Sequence, residues 1–171
     1  MILPQVMLQT DRLLLRTPLE SDFETVATFM ASPRTQFVGG QVTDRWEQWR
    51  GFLSGLGHWA LRGYGFFMVL HGTTRVGRVG IVNHEMWQEP ELGWHLFDGF
   101  EGQGFASEAA VAVRRWGFAE RGLGPLISYI NPANERSRRV ALRVGAHHES
   151  DGTLLGAPCE VWRHPDPEGT R

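Results

Sequence analysis

Apolar positions along this chain recur with two periods. Residues 11–16 hold the run Leu13-Leu14-Leu15 and predict a short strand. The runs Phe66–Leu70 and Arg75–Asn83 flank His71-Gly72-Thr73-Thr74, a hairpin signal. Leu92–Phe97, Leu126–Ile130 and two last runs near 146–150 and 158–163 complete the strand pattern. Helical stretches are expected near 21–31 and 43–56, separated by the breakers Pro33 and Gly39-Gly40. From about Phe105 to Glu120, Ala109, Ala112, Val113 and Trp116 recur at helical spacing, and Arg121-Gly122 ends the run. A last helix is expected over 134–144, closed by Gly145. The pattern predicts a mixed α/β (α+β) domain over residues 1–164, with a frayed Pro/Gly/charge-rich tail over 165–171.

Composition narrows the classes. With 171 residues and 42% hydrophobic content, one domain has enough interior for a core. A formal net charge of −2 leaves no electrostatic footprint for nucleic acid. The single cysteine, Cys159, excludes an internal disulfide framework and fits a reducing compartment. No apolar run approaches a membrane span, and the first residues carry no basic segment or cleavage site. A soluble cytoplasmic protein is the expectation. All 17 basic residues are arginine, which points to nucleotide-composition bias rather than chemistry.

The chemistry concentrates in residues 91–109, where an apolar strand, a glycine-rich bend and a helix follow without a break. Such a bend exposes main-chain N–H groups with no intrahelical partner, and the helix dipole adds positive potential. Gly102 and Gly104 carry no Cβ, so an anion can approach the main chain closely. The natural guest is a phosphate or pyrophosphate. A P-loop requires Lys-Ser/Thr after its last glycine, and the chain has no lysine. A dinucleotide fingerprint requires an acid about 20 residues further on. The strand in that region offers Ser128 and Tyr129 but no acid.

The segment Gly102-Gln103-Gly104-Phe105-Ala106-Ser107-Glu108-Ala109 closely resembles the pyrophosphate loop of the GNAT superfamily of N-acetyltransferases, especially the ribosomal-protein-alanine branch. The resemblance extends along nearly the whole chain. Thr10-Asp11-Arg12 through Arg16, then Glu20-Ser21-Asp22, looks like that branch's first strand and first-helix entry. Pro125–Ile130, then Asn131 to Asn134 and Ser137, resembles its second motif. Glu101 departs from the pattern and is expected to face solvent, since a carboxylate aimed at a pyrophosphate would repel it.

This resemblance implies a mostly antiparallel twisted sheet of about seven strands, with helices on both faces and a splay at the central strand pair. It also implies acetyl-CoA as co-substrate, no metal, and direct attack by a primary amine in a ternary complex. The acceptor would be a small molecule or a peptide N-terminus. Main-chain groups of His95, Leu96 and Phe97 would bind the pantetheine arm and the carbonyl oxygen. Gly102, Gln103, Gly104, Phe105, Ala106 and Ser107 would cradle the pyrophosphate. Asn134 would cap its helix and touch the coenzyme, and Arg139, chief of the stripe Arg136, Arg139 and Arg143, would meet the 3′-phosphate.

Ser137 is the candidate proton donor to the departing thiolate, because the tyrosine many relatives use further along the helix is absent. Placed with Val140, Ala141 and Val144 on one side of the helix, it would face inward; alternatively its hydroxyl bonds the carbonyl one turn back. The general base is less defined. Members that acetylate protein N-termini often carry a strand glutamate where Tyr129 stands, and tyrosine is a poor base at neutral pH. Glu91, Glu85, His84 or a water remain open, with Glu91 favoured.

Other features have simpler readings. Trp46 and Trp49 would wall the acceptor site or serve the core. His147-His148, Cys159 and His164 match no zinc spacing, and Cys159 is expected to be structural. A catalytically degenerate acyl-CoA-binding or regulatory domain is the competing class, kept open by Glu101 and the missing strand glutamate. A homodimer is compatible with either.

Overall fold

The computed structural model describes residues 3–166. Eight strands form one sheet in the order β1-β2-β3-β4-β5-β6-β8-β7. They are β1 (Met7–Gln9), β2 (Leu13–Arg16), β3 (Phe66–His71), β4 (Thr74–Val82), β5 (Glu91–Leu96), β6 (Ile127–Ile130), β7 (His147–Leu154) and β8 (Ala157–Arg163). Every neighbouring pair is antiparallel except β5 and β6. Four α-helices accompany them: α1 (Phe23–Met30), α2 (Arg45–Arg62), α3 (Phe105–Arg121) and α4 (Glu135–Arg143). Short 3-10 turns at Glu20–Asp22 and Pro33–Phe37 lead into and out of α1.

Burial follows the alternation of each strand. One sheet face, with Leu13, Leu15, Phe67, Val79, Ile81 and Leu92, packs on Ala109, Ala110, Val113 and Trp116 of α3. The helix approaches closely because Gly117 lies over Ile81, where a Cβ would sit 2.3 Å from Ile81 Cδ1. On the opposite face Met68 and Phe97 pack on Val26 and Phe29 of α1 and Phe52 of α2. A smaller cluster of Ile130, Ala141, Ala146 and Trp162 seats α4. Asp22 is fully buried and anchors the start of α1. Burial alone would raise its pKa, but Arg16, the Leu19 main chain and Arg75 outweigh that and hold it below 3.8.

Three details differ from the sequence reading. The sheet has eight strands, not about seven, because the three-residue edge strand β1 is too short and exposed to carry a pattern. Helix α2 runs to Arg62 rather than 56, through Gly55 and Gly57. The gain is the fully buried Trp59, whose indole donates to the Phe66 carbonyl at 2.9 Å. Strand β7 continues to Leu154, since its exposed polar residues pair with β8 despite lacking apolar alternation. Of the expected tail, residues 167–171 lie outside the described part.

The central feature is where the ladder fails. Strands β5 and β6 share a single register pair, Glu91 with Ile127, and then part. Toward the other edge, β5 stays fully paired with β4 from Glu91 to Leu96. A wedge therefore opens between β5 and β6, and the chain leaving β5 runs straight into the bend that starts α3.

Candidate active site

Gly102 and Gly104 both adopt positive φ, +75° and +81°, a region where side-chain-bearing residues are strained. Gly104 is the N-cap of α3 and supplies no side-chain cap. The first-turn N–H groups are thus open to an external acceptor, at the positive end of a 17-residue helix. Ser107 belongs to that turn, and its Oγ is buried without a hydrogen-bond partner. A glycine cradle, open amides and an orphaned hydroxyl together fit a pyrophosphate.

Two arginines hold this bend. Arg12 donates through Nη1 to the Gln103 carbonyl at 3.0 Å and through Nε to Glu108 Oε2 at 2.7 Å. Thr10 and the Arg12 main chain donate to the other Glu108 oxygen, and the Arg12 guanidinium balances the charge of this first-turn carboxylate. From the opposite side Arg34 reaches the Leu96 carbonyl at 3.2 Å and pairs with Glu101. Glu101 therefore does not face solvent as expected: it is half-buried against Arg34, with Arg136 3.6 Å away. The ion pair removes the repulsion that made this glutamate look out of place. Sequence reasoning missed Arg34 because nothing local links residue 34 to a loop more than sixty positions away.

At the closed end of the wedge, on its last ladder pair, stands Glu91. The Trp87 indole donates to its Oε2 at 2.7 Å. Desolvation pushes its pKa up to about 7, against the lowering effect of Trp87 and the Tyr129 main chain. A carboxyl poised near neutrality is the environment a general base requires. His84 and Glu85 lie exposed on the turn between β4 and β5. Burial, helped by His58 and Arg62, holds the His84 pKa below 6.5.

Ser137 lies across the sheet from Glu91, in the first turn of α4. Asn134 caps that helix by accepting from the Ser137 amide at 3.2 Å. The Trp94 indole, on β5, donates to Ser137 Oγ at 3.3 Å. The alternative bond to the carbonyl one turn back is not made, so the hydroxyl accepts from Trp94 and keeps its own hydrogen free for a further acceptor. Deeper in the gap, Ser128 of β6 donates to the Leu92 carbonyl and meets His164 Nε2 at 2.8 Å. Burial first, then Arg114 and Arg163, lower the His164 pKa to about 3, so this imidazole is neutral and its Nε2 carries the donor hydrogen. The pair ties β5 to β6 just beyond the last ladder bond.

The remaining candidates divide. The Phe97 amide is used by the Val76 carbonyl at 3.0 Å and the Leu96 carbonyl by Arg34, so not all main-chain groups expected to be free are free. Gln103 is exposed and its side chain turns back to the Gly99 carbonyl at 3.4 Å. Phe105 and Ala106 are buried and seat the helix start, with the Arg12 guanidinium 5.0 Å over the Phe105 ring. Arg139 is exposed and paired with Glu135 at 3.2 Å; of the stripe it is Arg136 that approaches the bend. Trp49 packs edge-on against Phe23 in the core, whereas Trp46 is 65% exposed. Ligand atoms of His148, Asp151 and Glu160 lie within 4.8 Å of one another, but Glu160 is already held by Arg138 at 3.2 Å and Trp162 at 2.9 Å.

Comparison with known proteins shows which family shares this arrangement of a parted sheet, a glycine bend and an uncapped helix. The acetyltransferase (GNAT) domain model matches residues 12–147, and the chain belongs to that family. An acetyltransferase from Agrobacterium tumefaciens is 37% identical, with 97% of this chain and 98% of that one superimposed at a TM-score of 0.87. RimJ from Mycobacterium smegmatis, in complex with a CoA disulfide, shares the fold at 20% identity, 93% and 84% coverage and a TM-score of 0.75. Among curated proteins, YkkB of Bacillus subtilis is 31% identical over 59% of this chain and 62% of its own length, so the chain spans less than two thirds of that relative. Among the described residues no helix is long and apolar enough to cross a membrane.

Proposed function

We propose that this protein is an acetyl-CoA-dependent N-acetyltransferase that transfers the acetyl group to a primary amine by direct attack within a ternary complex. The observation that carries this reading is the parting of β5 from β6 beside the uncapped N-terminus of α3. The amides of Gly102 to Ser107 and the Ser107 hydroxyl hold the pyrophosphate of the co-substrate. The pantetheine arm lies in the wedge, along β5 at His95 and Leu96, with Asn134 beside it, and places the thioester between Glu91 and Ser137.

Glu91 accepts a proton from the incoming ammonium through a water. Its pKa of about 7 lets it do so near neutral pH without holding the proton too tightly afterwards. The freed amine attacks the thioester carbonyl; as the adduct collapses the C–S bond breaks, the departing sulfur takes the Ser137 proton, and the second proton shed by the nitrogen as it becomes the amide nitrogen restores the Ser137 hydroxyl through solvent. Trp94 orients that serine by donating to its oxygen. Relatives with coenzyme A bound in the same fold, such as RimJ, support the choice of co-substrate. The degenerate alternative loses one of its two supports, because Arg34 balances Glu101.

Thermal unfolding with acetyl-CoA, free CoA, ATP and NAD, each in large excess, tests the co-substrate. At a hundredfold excess over Kd a ligand adds about 2.7 kcal/mol, several degrees in Tm. A shift with both coenzyme A forms and neither nucleotide is expected, followed by thiol release on adding an amine. No shift with either coenzyme A form would remove the reading.

A further inference from the structure

Residues 83–90, between β4 and β5, form neither helix nor strand, yet they carry Trp87, whose indole donates to Glu91 Oε2 at 2.7 Å. A side chain on such a segment keeps a fixed hydrogen bond only if the segment itself is anchored. Local bonding supplies one turn, in which the Trp87 amide donates to the His84 carbonyl at 3.0 Å. The other anchors come from strands distant in sequence. Ile127 of β6 donates its amide to the Pro90 carbonyl at 3.3 Å, and the Tyr129 phenol meets the Gln88 main chain. The charged grip is on Glu89. Arg163, the last residue of β8, donates to both its oxygens, through Nη1 to Oε2 at 2.6 Å and through Nη2 to Oε1 at 2.9 Å.

Arg163 is itself held on its other sides. Nε and Nη2 donate to Glu149 of β7 at 3.0 and 2.8 Å, and Nη1 donates to the Pro125 carbonyl at 3.3 Å. Each of its N–H groups therefore has a partner, and only 18% of its side-chain surface is exposed. A planar fork engaged on every side has one orientation, which a flexible ammonium would not have. Its place in the sheet matters equally. Glu91 pairs with Ile127 and Ile127 with Arg163, so the three stand in one row on one face. Glu89 lies two residues after Trp87 and two before Glu91, so the clasp closes midway between the indole and the carboxyl.

We propose that Arg163 is a positioning residue: its grip on Glu89 keeps the Trp87 indole on Glu91 Oε2 and so fixes the proton affinity of that carboxyl. This deepens the acetyl-transfer reading and rests on it for the role of Glu91. The titratable groups that feel Glu91 are the Tyr129 phenol of β6 and the Cys159 thiol of β8, both pushed up by burial and then by Glu91, hence neutral at pH 7. From β4 the residue opposite Glu91 is Val82, which carries no charge. His84 packs edge-on against Trp87 at 4.6 Å, and burial, then His58 and Arg62, hold its pKa below 6.5. Glu89 and Arg163 offset each other in charge. The linkage therefore runs through the indole hydrogen bond.

The carbon NMR signal of the Glu91 carboxyl, assigned by its loss in Glu91→Gln, reports this without turnover. It is titrated in wild type, Trp87→Phe, Glu89→Gln, Arg163→Lys and Arg163→Met, and thiol release is followed over the same pH range. Trp87→Phe keeps a ring but removes the donor, so the midpoint should rise by roughly one pH unit or more, the size of a hydrogen bond to a charged group. Glu89→Gln and Arg163→Met should move it the same way, and Arg163→Lys less than Arg163→Met because the charge remains. In the Trp87→Phe background Glu89→Gln should add nothing, since no donor is left to misplace. The limb of kcat/KM should follow the midpoint. Should Arg163→Met fail to fold, Glu89→Gln and Arg163→Lys decide. Unmoved midpoints in those two variants, each with a cooperative thermal transition, overturn the proposal, as does an equal effect of Glu89→Gln with and without the indole. Midpoints that move with no thiol release from any amine would sink acetyl transfer and leave the Arg163 linkage standing. Turnover with unmoved midpoints would do the reverse.

Discussion

Replacing Glu91 by glutamine removes one ionisable proton and little else, because the amide oxygen still accepts from the Trp87 indole that now lies 2.7 Å from Oε2. Two effects of opposite sign should follow. In the folded protein Glu91 titrates at about 7, above its ordinary 4.5, chiefly because of desolvation. Between those values the unfolded chain has lost the proton that the folded chain retains, so stability falls as pH rises through that window and is not recovered above it. At 1.36 kcal/mol per pH unit the full displacement amounts to about 3 kcal/mol. That is an upper bound, since Glu91 retains some solvent-accessible surface. Glu91→Gln should therefore be the more stable protein above pH 7, by up to about 3 kcal/mol, and indistinguishable below pH 4.5. Activity should move the other way. A lost general base costs roughly 10²–10⁴ in turnover, and the rise of kcat/KM through neutrality should flatten. Amine ionisation contributes the same limb to both proteins, so the difference between their pH profiles isolates Glu91. Urea unfolding at pH 4.5 and 8 and thiol release from pH 5.5 to 9 measure both effects. Activity within twofold of wild type, with the same pH profile, would refute the assignment.

Three further outcomes are expected. Ser137→Ala should lower kcat about tenfold or more while leaving the acetyl-CoA Kd unchanged, measured by thiol release and calorimetry; equal effects on both would mean the hydroxyl only packs. Gly104→Val forces a β-branched residue to φ +81° at the open helix start and should abolish the coenzyme A stabilisation in thermal unfolding, whereas the exposed Arg139→Ala should leave it intact. Asp22→Ala strands Arg16 and Arg75 and should cost about 3–5 kcal/mol in chemical denaturation. Because the folded Asp22 pKa lies below 3.8, its stabilisation is complete above that value and fades as pH falls through the folded pKa, which acid unfolding of wild type and variant would show.

What the chain determined locally was legible in its residues. The two apolar periods located most helices and strands, because backbone sterics and side-chain burial act within a few neighbours. The bend at Gly102 and Gly104 was legible for a similar reason: glycine is the residue that takes positive φ without strain. The expected helix stopped near residue 56, whereas the burial of Trp59 carries α2 through Gly55 and Gly57 to Arg62. Long-range pairing lay outside the pattern. Only the folded sheet brings Arg34 onto Glu101, Arg12 onto Glu108 and Trp87 onto Glu91. Only desolvation in that fold turns an ordinary carboxyl into one that titrates near 7, and only its packing buries the Arg78 Nε without a hydrogen-bond partner. Secondary structure and loop chemistry are set by neighbours in sequence, but charge pairing and pKa depend on neighbours in space, which the tertiary structure alone decides.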